Sequence, residues 1–416
     1  MRSHVWMALG LVAGLALGLI TAATGSTAIA DGLDRFVRPL GRLFLNLLTM
    51  VVVPLVATAL FTAVAGLGDV RRLGRLGAGA LGFFWGTTIV AIGVGFAVAR
   101  LLLPLAPIAP GQQAELRAAA GVDTAFQQAA AQAPTGARFI VELVPANPLR
   151  AAVDGNLLSV IVFVTIFGAA AATLPEEKRR MLTDLADAGT QALIRIVRWV
   201  LVLAPVGIFA LVAPVVARFG WSMVGAMLVF LAAVAAGCLV LIAFVYLPAV
   251  AFAARFGPSR FLRAALPSMA MGFSTTSSLA ALPAMLDAAE RDLRMSRAVA
   301  GLVLPLGASI NRAGSALYQA VAVLFTAQLY GVPLGPGELV QAGAAVFLAS
   351  LTVAAVPAGS VVSLAPAFVQ TGLPLAGIGV LLGLDRIPDM FRTMTNVTGH
   401  LAGAAIVATA QGERLG

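Results

Sequence analysis

Cysteine, histidine, lysine and tyrosine are nearly absent from this chain: one Cys, two His, one Lys and three Tyr in 416 residues, with only 11% of residues charged. A lone cysteine, Cys238, rules out an intrachain disulfide and a Cys-based metal site, and carries no information on redox compartment. There is no Walker A pattern, and no nucleophile with a base or cluster of metal-ligating side chains can be assembled, so an enzyme is the weakest class and neither cofactor nor metal is expected. The formal charge of +9 comes from 26 Arg and Lys178 against 18 acids. Those basic residues sit in short links rather than along a groove, which excludes nucleic acid as a partner.

What the chain has in excess is apolar surface. Hydrophobic residues make up 60% of it, and apolar runs recur along its whole length, more than a single soluble core buries. The expected class is an all-α integral membrane protein whose first partner is the lipid bilayer. The start, MRSHVWMALGLVAGLALGLI, has the basic head and apolar body of a signal peptide but no clear A-x-A cleavage site, and reads as a retained first span. Apolar stretches fall near 4–28, 36–67, 77–104, 138–173, 188–216, 221–256, 262–288, 296–329, 338–369 and 374–411. Several exceed the roughly 20 residues of a straight crossing, which implies strong tilt or broken helices.

Charge sets the expected orientation. The links holding Arg71, Arg72 and Arg75, then Lys178, Arg179 and Arg180, then Arg255, Arg260 and Arg263 are basic, whereas 105–137 carries one Arg. The positive-inside bias puts the N-terminus and these three basic links in the cytoplasm, with RDLRMSR at 291–297. Both flanks of 262–288 are then on one face, so that segment enters and returns. Its centre, GFSTTSSLAALP, breaks a helix with hydroxyls and a proline. A second interrupted segment, LTVAAVPAGSVVSLAP, follows at 351–366. Paired broken hydrophobic segments point to the midplane site of a secondary transporter.

Within LDRIPDMFRTMTNVTGH, residues 384–400, Asp385, Asp389, Arg392, Asn396 and His400 fall at about 0°, 40°, 340°, 20° and 60° around an ideal helix, forming one polar stripe. Ionisable groups at membrane depth mark a solute path or pair with one another. Asp389 and Arg392, at i and i+3, fit a ligand grip and a structural ion pair alike.

Longer stretches carry a resemblance. STTSSLAALP, PLGASINRAGSALYQ, VPAGS and DRIPDMFRTMTNVTGHLAGAAIVA resemble, in this order, the hairpin tips, seventh span and last helix of the dicarboxylate/amino acid:cation symporters, the glutamate and aspartate transporter family. LVPANPL at 143–149, LAPVGIFALVA at 203–213 and VARLLLP at 98–104 extend the likeness over nearly the whole chain. The resemblance implies eight transmembrane helices with two re-entrant hairpins, about 260–290 and about 338–370, in an elevator-type homotrimer of the bacterial plasma (inner) membrane with both termini cytoplasmic. Residues 1–75 and 138–216 would form a scaffold domain, 76–137 the third span and an extracellular link, and 217–416 the rest of the transport domain.

For the substrate, a small acidic solute, the resemblance implies that Arg392 takes a side-chain carboxylate, Asp389 an ammonium, and Asn396 with Ser277 and Ser278 the α-carboxylate. Arg392 suits its part, because a planar guanidinium grips a carboxylate bidentately. Thr393 and Ser315 would add hydroxyls, and Val356 to Ser360 would form the lid. Asp385 would orient a neighbour. An acidic amino acid is favoured over a simple dicarboxylate, since an ammonium neutralises Asp389.

Departures from the family pattern concern ions. Where the family reads NMDGT, this chain has Asn311, Arg312, Ala313, Gly314 and Ser315, and a second sodium-binding Asp is matched by His400. Sodium wants anionic or carbonyl oxygens, which neither Ala nor an imidazole supplies. Two anions lost and one fixed cation gained shift the local charge by about three units. Thr87, Thr88, Asn311, Asn396 and Ser309 remain of the ion-binding framework, while Phe84 replaces a family Tyr. Thr276 and Leu279 alter the first hairpin tip. The expectation is that Arg312 fills the emptied space and that proton coupling or exchange replaces sodium, with His400, Asp385 and Asp389 as candidate proton carriers. Alternatives stay open here: His400 as a neutral packing group, Arg312 snorkelling to an interface, and the whole chain as an uncoupled facilitator or channel, a sodium-coupled dicarboxylate carrier, or a receptor-like relic.

Overall fold

The computed structural model describes residues 2–66, 70–120, 144–153, 157–351 and 359–416, and among these every regular element is helical. Two helical stretches, Gly77–Leu105 and Trp221–Phe252, are long and apolar enough to cross a bilayer among the described residues. The first apolar stretch is one helix, Arg2–Thr24, whereas several of the others are broken among the described residues, and the sequence explains where.

Prolines cause three of the breaks by removing an N–H from the helical ladder. The stretch expected at 36–67 divides into Arg38–Thr49 and Val52–Gly66, because Pro54 cannot bond the carbonyl of Met50. That expected at 188–216 divides at Leu203, between Glu176–Val202 and Ala204–Phe219, where Pro205 cannot serve Leu201. The last stretch divides into Ala376–Leu384 and Arg386–Ala410, ahead of Pro388. The continuous polar stripe expected from Asp385 is therefore interrupted at its first member. Asp385 keeps right-handed torsions, but its N–H reaches back three residues to Leu382, at 3.4 Å.

Two further breaks have no proline at the break itself, the interior Pro267 and Pro305 being accommodated within their helices, and are made by polar groups. Helices Arg297–Ile310 and Ala313–Tyr330 are separated by Asn311, in extended conformation, and Arg312. The Asn311 side chain accepts from the Ala313 N–H at 3.3 Å and so starts the second helix. The helix Pro258–Thr275 ends at Thr276, which holds φ 53° and ψ 33°, a left-handed conformation rare for a β-branched residue. The chain then re-forms as Leu282–Asp287, continues through a wide turn at Ala288–Asp292, and folds back against the first arm. After Pro336–Leu351 the described chain resumes with Gly359–Val362 and Ala365–Gln370, the latter packed on Pro336–Leu351.

Contacts divide the chain into two compact units. The first comprises 1–68, 100–231 and 322–386. In it Arg2–Thr24 lies along Ala204–Phe219, with Gly10, Gly14 and Gly18 at four-residue spacing against Pro205, Phe209 and Val216. Such a stripe of glycines lets helices approach closely where no hydrophobic effect drives them together. At its other helices, Arg117 of Pro110–Ala120 donates to the carbonyls of Tyr330 and Gly331, and Gln328 donates to Leu103 and Ala106, which closes the end of Ala313–Tyr330. The second unit comprises 69–99, 232–321 and 387–416. Its chain end is tied down by Glu413, whose carboxylate accepts from the Ser296 hydroxyl at 2.5 Å and N–H at 2.9 Å.

Candidate functional site

The second unit holds a buried polar cluster between the last helix and the start of Ala313–Tyr330. Arg392 and Asp389 share the inward face of the last helix, one turn apart. Arg392 Nε donates to Asp389 Oδ1 at 2.9 Å, with 3% and 14% of the two side chains exposed. Thr393 adds a second donor to the same oxygen at 3.3 Å. Above the guanidinium lies Tyr318, its ring centroid 4.8 Å from Arg392 Cζ, so the aromatic face holds the cation without consuming its N–H donors. Tyr318 was not legible as a site residue, although its spacing of i+3 from Ser315 puts both on one helical face.

Asn396 joins the helices. Its side-chain oxygen accepts from the Gly314 N–H at 2.8 Å, one of the donors a helix start leaves open. Gly314 has to be glycine here: a Cβ would lie 2.5 Å from the Arg392 carbonyl oxygen and 3.1 Å from Asn396 Oδ1. Ser315 follows, buried. On the other side, Gly272 of the first hairpin packs against Thr393 and Val397. At the tip, Ser277 accepts from the Ala280 N–H through its side chain, and Ser278 is buried with its hydroxyl lacking a partner. Leu279 is half exposed.

Of the residues assigned to ion coupling, His400, Asn311, Arg312, Thr87 and Thr88 are also buried in this unit. His400 is fully buried, with Nε2 3.1 Å from the Asn311 carbonyl oxygen and Phe84 edge-on to its ring. Because a carbonyl only accepts, Nε2 carries the ring proton and Nδ1 keeps a lone pair. Arg312 is buried within electrostatic reach of Asp389, Arg392 and His400. Thr87 and Thr88 are buried, and their hydroxyls donate back to Phe83 and Phe84 of their own helix. Two guanidinium groups thus stand against one carboxylate. Asp385 and Ser360, both buried, fall in the first unit, and Val356 lies outside the described residues.

Such a cluster has binding chemistry without a nucleophile and base, and among the described residues no group of three or more His, Cys, Asp or Glu gathers to hold a metal. Its setting in known proteins is clear. The sequence matches the Sodium:dicarboxylate symporter family over residues 4–410. It is 32% identical over 377 residues to a proton/glutamate-aspartate symporter of Escherichia coli K12, covering 89% of this chain and 84% of that one. A proton/sodium-glutamate symport protein of Bacillus caldotenax is 30% identical over 404 residues, covering 96% and 93%. A C4-dicarboxylate transport protein of Anaeromyxobacter sp. strain K is 32% identical over 417 residues, covering 99% and 90%. These are transporters, not enzymes, and the chain belongs to the sodium:dicarboxylate symporter family.

Proposed function

We propose that the protein carries an acidic amino acid of the aspartate and glutamate class without sodium, by proton coupling or by exchange. Membership of the family makes it a secondary transporter of acidic solutes. The finer reading rests on one observation: where the family pattern has carboxylates for cations, Ala313 and His400 stand, and the His400 imidazole N–H reaches the Asn311 carbonyl that a cation would seek. Arg312 supplies fixed positive charge beside it. Arg392 takes the substrate's side-chain carboxylate, Asp389 its ammonium, and Asn396, Thr393, Ser315 and the tip serines Ser277 and Ser278 the remaining polar groups. Val356 to Ser360 close over it.

In this reading 1–75 and 138–216 form a fixed scaffold and the rest moves, in a homotrimer of the inner membrane with both termini cytoplasmic. A second substrate is favoured by a specific contact. Asp389 Oδ1 already takes two donors, Arg392 and Thr393, so the pair is neutral without an ammonium, and a four-carbon dicarboxylate fits the excess of guanidinium groups.

Uptake of labelled aspartate, glutamate and succinate into proteoliposomes under a sodium gradient, a proton gradient or neither tests both. Accumulation driven by protons, or counterflow without any ion gradient, is the expected result. Accumulation that requires sodium rejects the coupling proposal, and succinate outcompeting both amino acids selects the second substrate.

A further inference from the structure

The break between Arg297–Ile310 and Ala313–Tyr330 leaves backbone acceptors on one side of it and backbone donors on the other. At membrane depth such groups need partners within the protein. The last helix supplies two, one turn apart and of opposite polarity. Asn396 Oδ1 accepts from the Gly314 N–H at 2.8 Å, and His400 Nε2 donates to the Asn311 carbonyl at 3.1 Å. Between these two bonds the Asn311 side chain accepts from the Ala313 N–H at 3.3 Å. Arg392, Asn396 and His400 stand at i, i+4 and i+8 in Arg386–Ala410, so one helical face both grips the break and carries the guanidinium.

The imidazole is held where it is. His400 and Asn311 are fully buried, as is Phe84, whose ring lies edge-on to the imidazole with centroids 6.3 Å apart. On the other helix, the point that a Cβ of Gly307 would occupy is 3.1 Å from His400 Cδ2 and 3.2 Å from Cγ, so the imidazole lies against the backbone of Arg297–Ile310. Its Nε2 proton faces an amide carbonyl, which accepts a hydrogen bond and does not relay a proton. What the two bonds fix is the start of Ala313–Tyr330. Ser315 is buried in its first turn, and Tyr318 in the next puts its ring 4.8 Å from Arg392 Cζ.

We propose that His400 is a positioning residue for the substrate: its imidazole N–H holds the Asn311 carbonyl and, with Asn396, keeps Ser315 and Tyr318 set on Arg392 with no ion bound. It carries no transported proton. This rests on the reading that the protein works without sodium, and names the side chain that shapes the site in place of a cation.

Glutamine and methionine at this position separate the N–H from the bulk. Both are unbranched and similar in length, and the glutamine amide nitrogen is as many bonds from Cα as Nε2 is. Affinity for labelled aspartate and succinate is measured on the purified, full-length protein in choline buffer, with melting as a check on folding and with counterflow and proton-driven accumulation in proteoliposomes. His400→Gln is expected to stay within about threefold of the unmodified affinity and to keep its transport, whereas His400→Met loses about tenfold or more because a buried carbonyl loses its donor. Equal affinities of the two variants overturn the proposal. So does a His400→Gln variant that keeps affinity and counterflow but loses proton-driven accumulation, which makes His400 the proton carrier. If His400→Met does not fold, His400→Gln decides alone, and a folded variant with affinity down about tenfold overturns the role of the N–H. Unmodified protein that binds substrate only with sodium sinks the sodium-free reading and this proposal together; equal variants of a protein indifferent to sodium sink this proposal alone.

Discussion

Gly314 is where two buried helices come closest at the site, and the space left there decides what one methyl group does. A Cβ would press on the Arg392 backbone carbonyl at 2.5 Å, and backbone cannot swing away as a side chain tip does. Gly314→Ala is therefore expected to destabilise the protein by about 1–3 kcal/mol through overpacking, and to weaken substrate binding because Arg392 and Asn396 shift together. Gly301, also in a helix, has nothing within 4 Å of the same position, and Gly301→Ala is expected to be neutral or stabilising by about 0.5–1 kcal/mol. Melting curves and substrate affinities of the two variants check this, and equal behaviour contradicts it. The candidate residues of the last helix were legible in the sequence because one helix sets their phase. Tyr318 was not, since its contact with Arg392 depends on packing between elements far apart in sequence.

At the scale of the element, the first hairpin tip stores strain. Thr276 holds a left-handed conformation that disfavours a non-glycine residue by about 1–2 kcal/mol, more than the roughly 0.5–1 kcal/mol of backbone entropy that glycine loses on folding. Thr276→Gly is accordingly expected to raise stability by about 0.5–1 kcal/mol while loosening the backbone that presents Ser277 and Ser278, so substrate affinity falls as melting temperature rises. If both fall, the strain is not at Thr276. That this segment breaks was legible from its hydroxyls and proline, and the breaks ahead of Pro54, Pro205 and Pro388 follow from the missing N–H alone. The break at Asn311 was not legible in this way. With no proline at the break, it depends on Asn311 capping the next helix, a local bond that competes with helix continuation. The interruption of the helix at Asp385, the first member of the stripe, was not legible from periodicity, since ideal periodicity ignores the carbonyl that Pro388 leaves unserved.

For the molecule as a carrier, the question is which gradient does the work, and charge decides it. A fixed guanidinium 4 Å from a sodium ion disfavours it by about 4 kcal/mol at an effective dielectric near 20, close to a thousandfold in affinity. Removing that charge alone leaves a site with no anionic ligand, and adding a carboxylate alone leaves a new anion paired with Arg312. Only both changes together favour a cation. Arg312→Met with Ala313→Asp is thus expected to make uptake respond to sodium by tenfold or more, whereas each single variant stays indifferent to it. The measurement is initial uptake into proteoliposomes against external sodium, with counterflow and melting as checks that each variant folds and exchanges substrate. A double variant that exchanges normally yet ignores sodium removes Arg312 from the coupling mechanism and leaves His400 as the group that keeps the cation out.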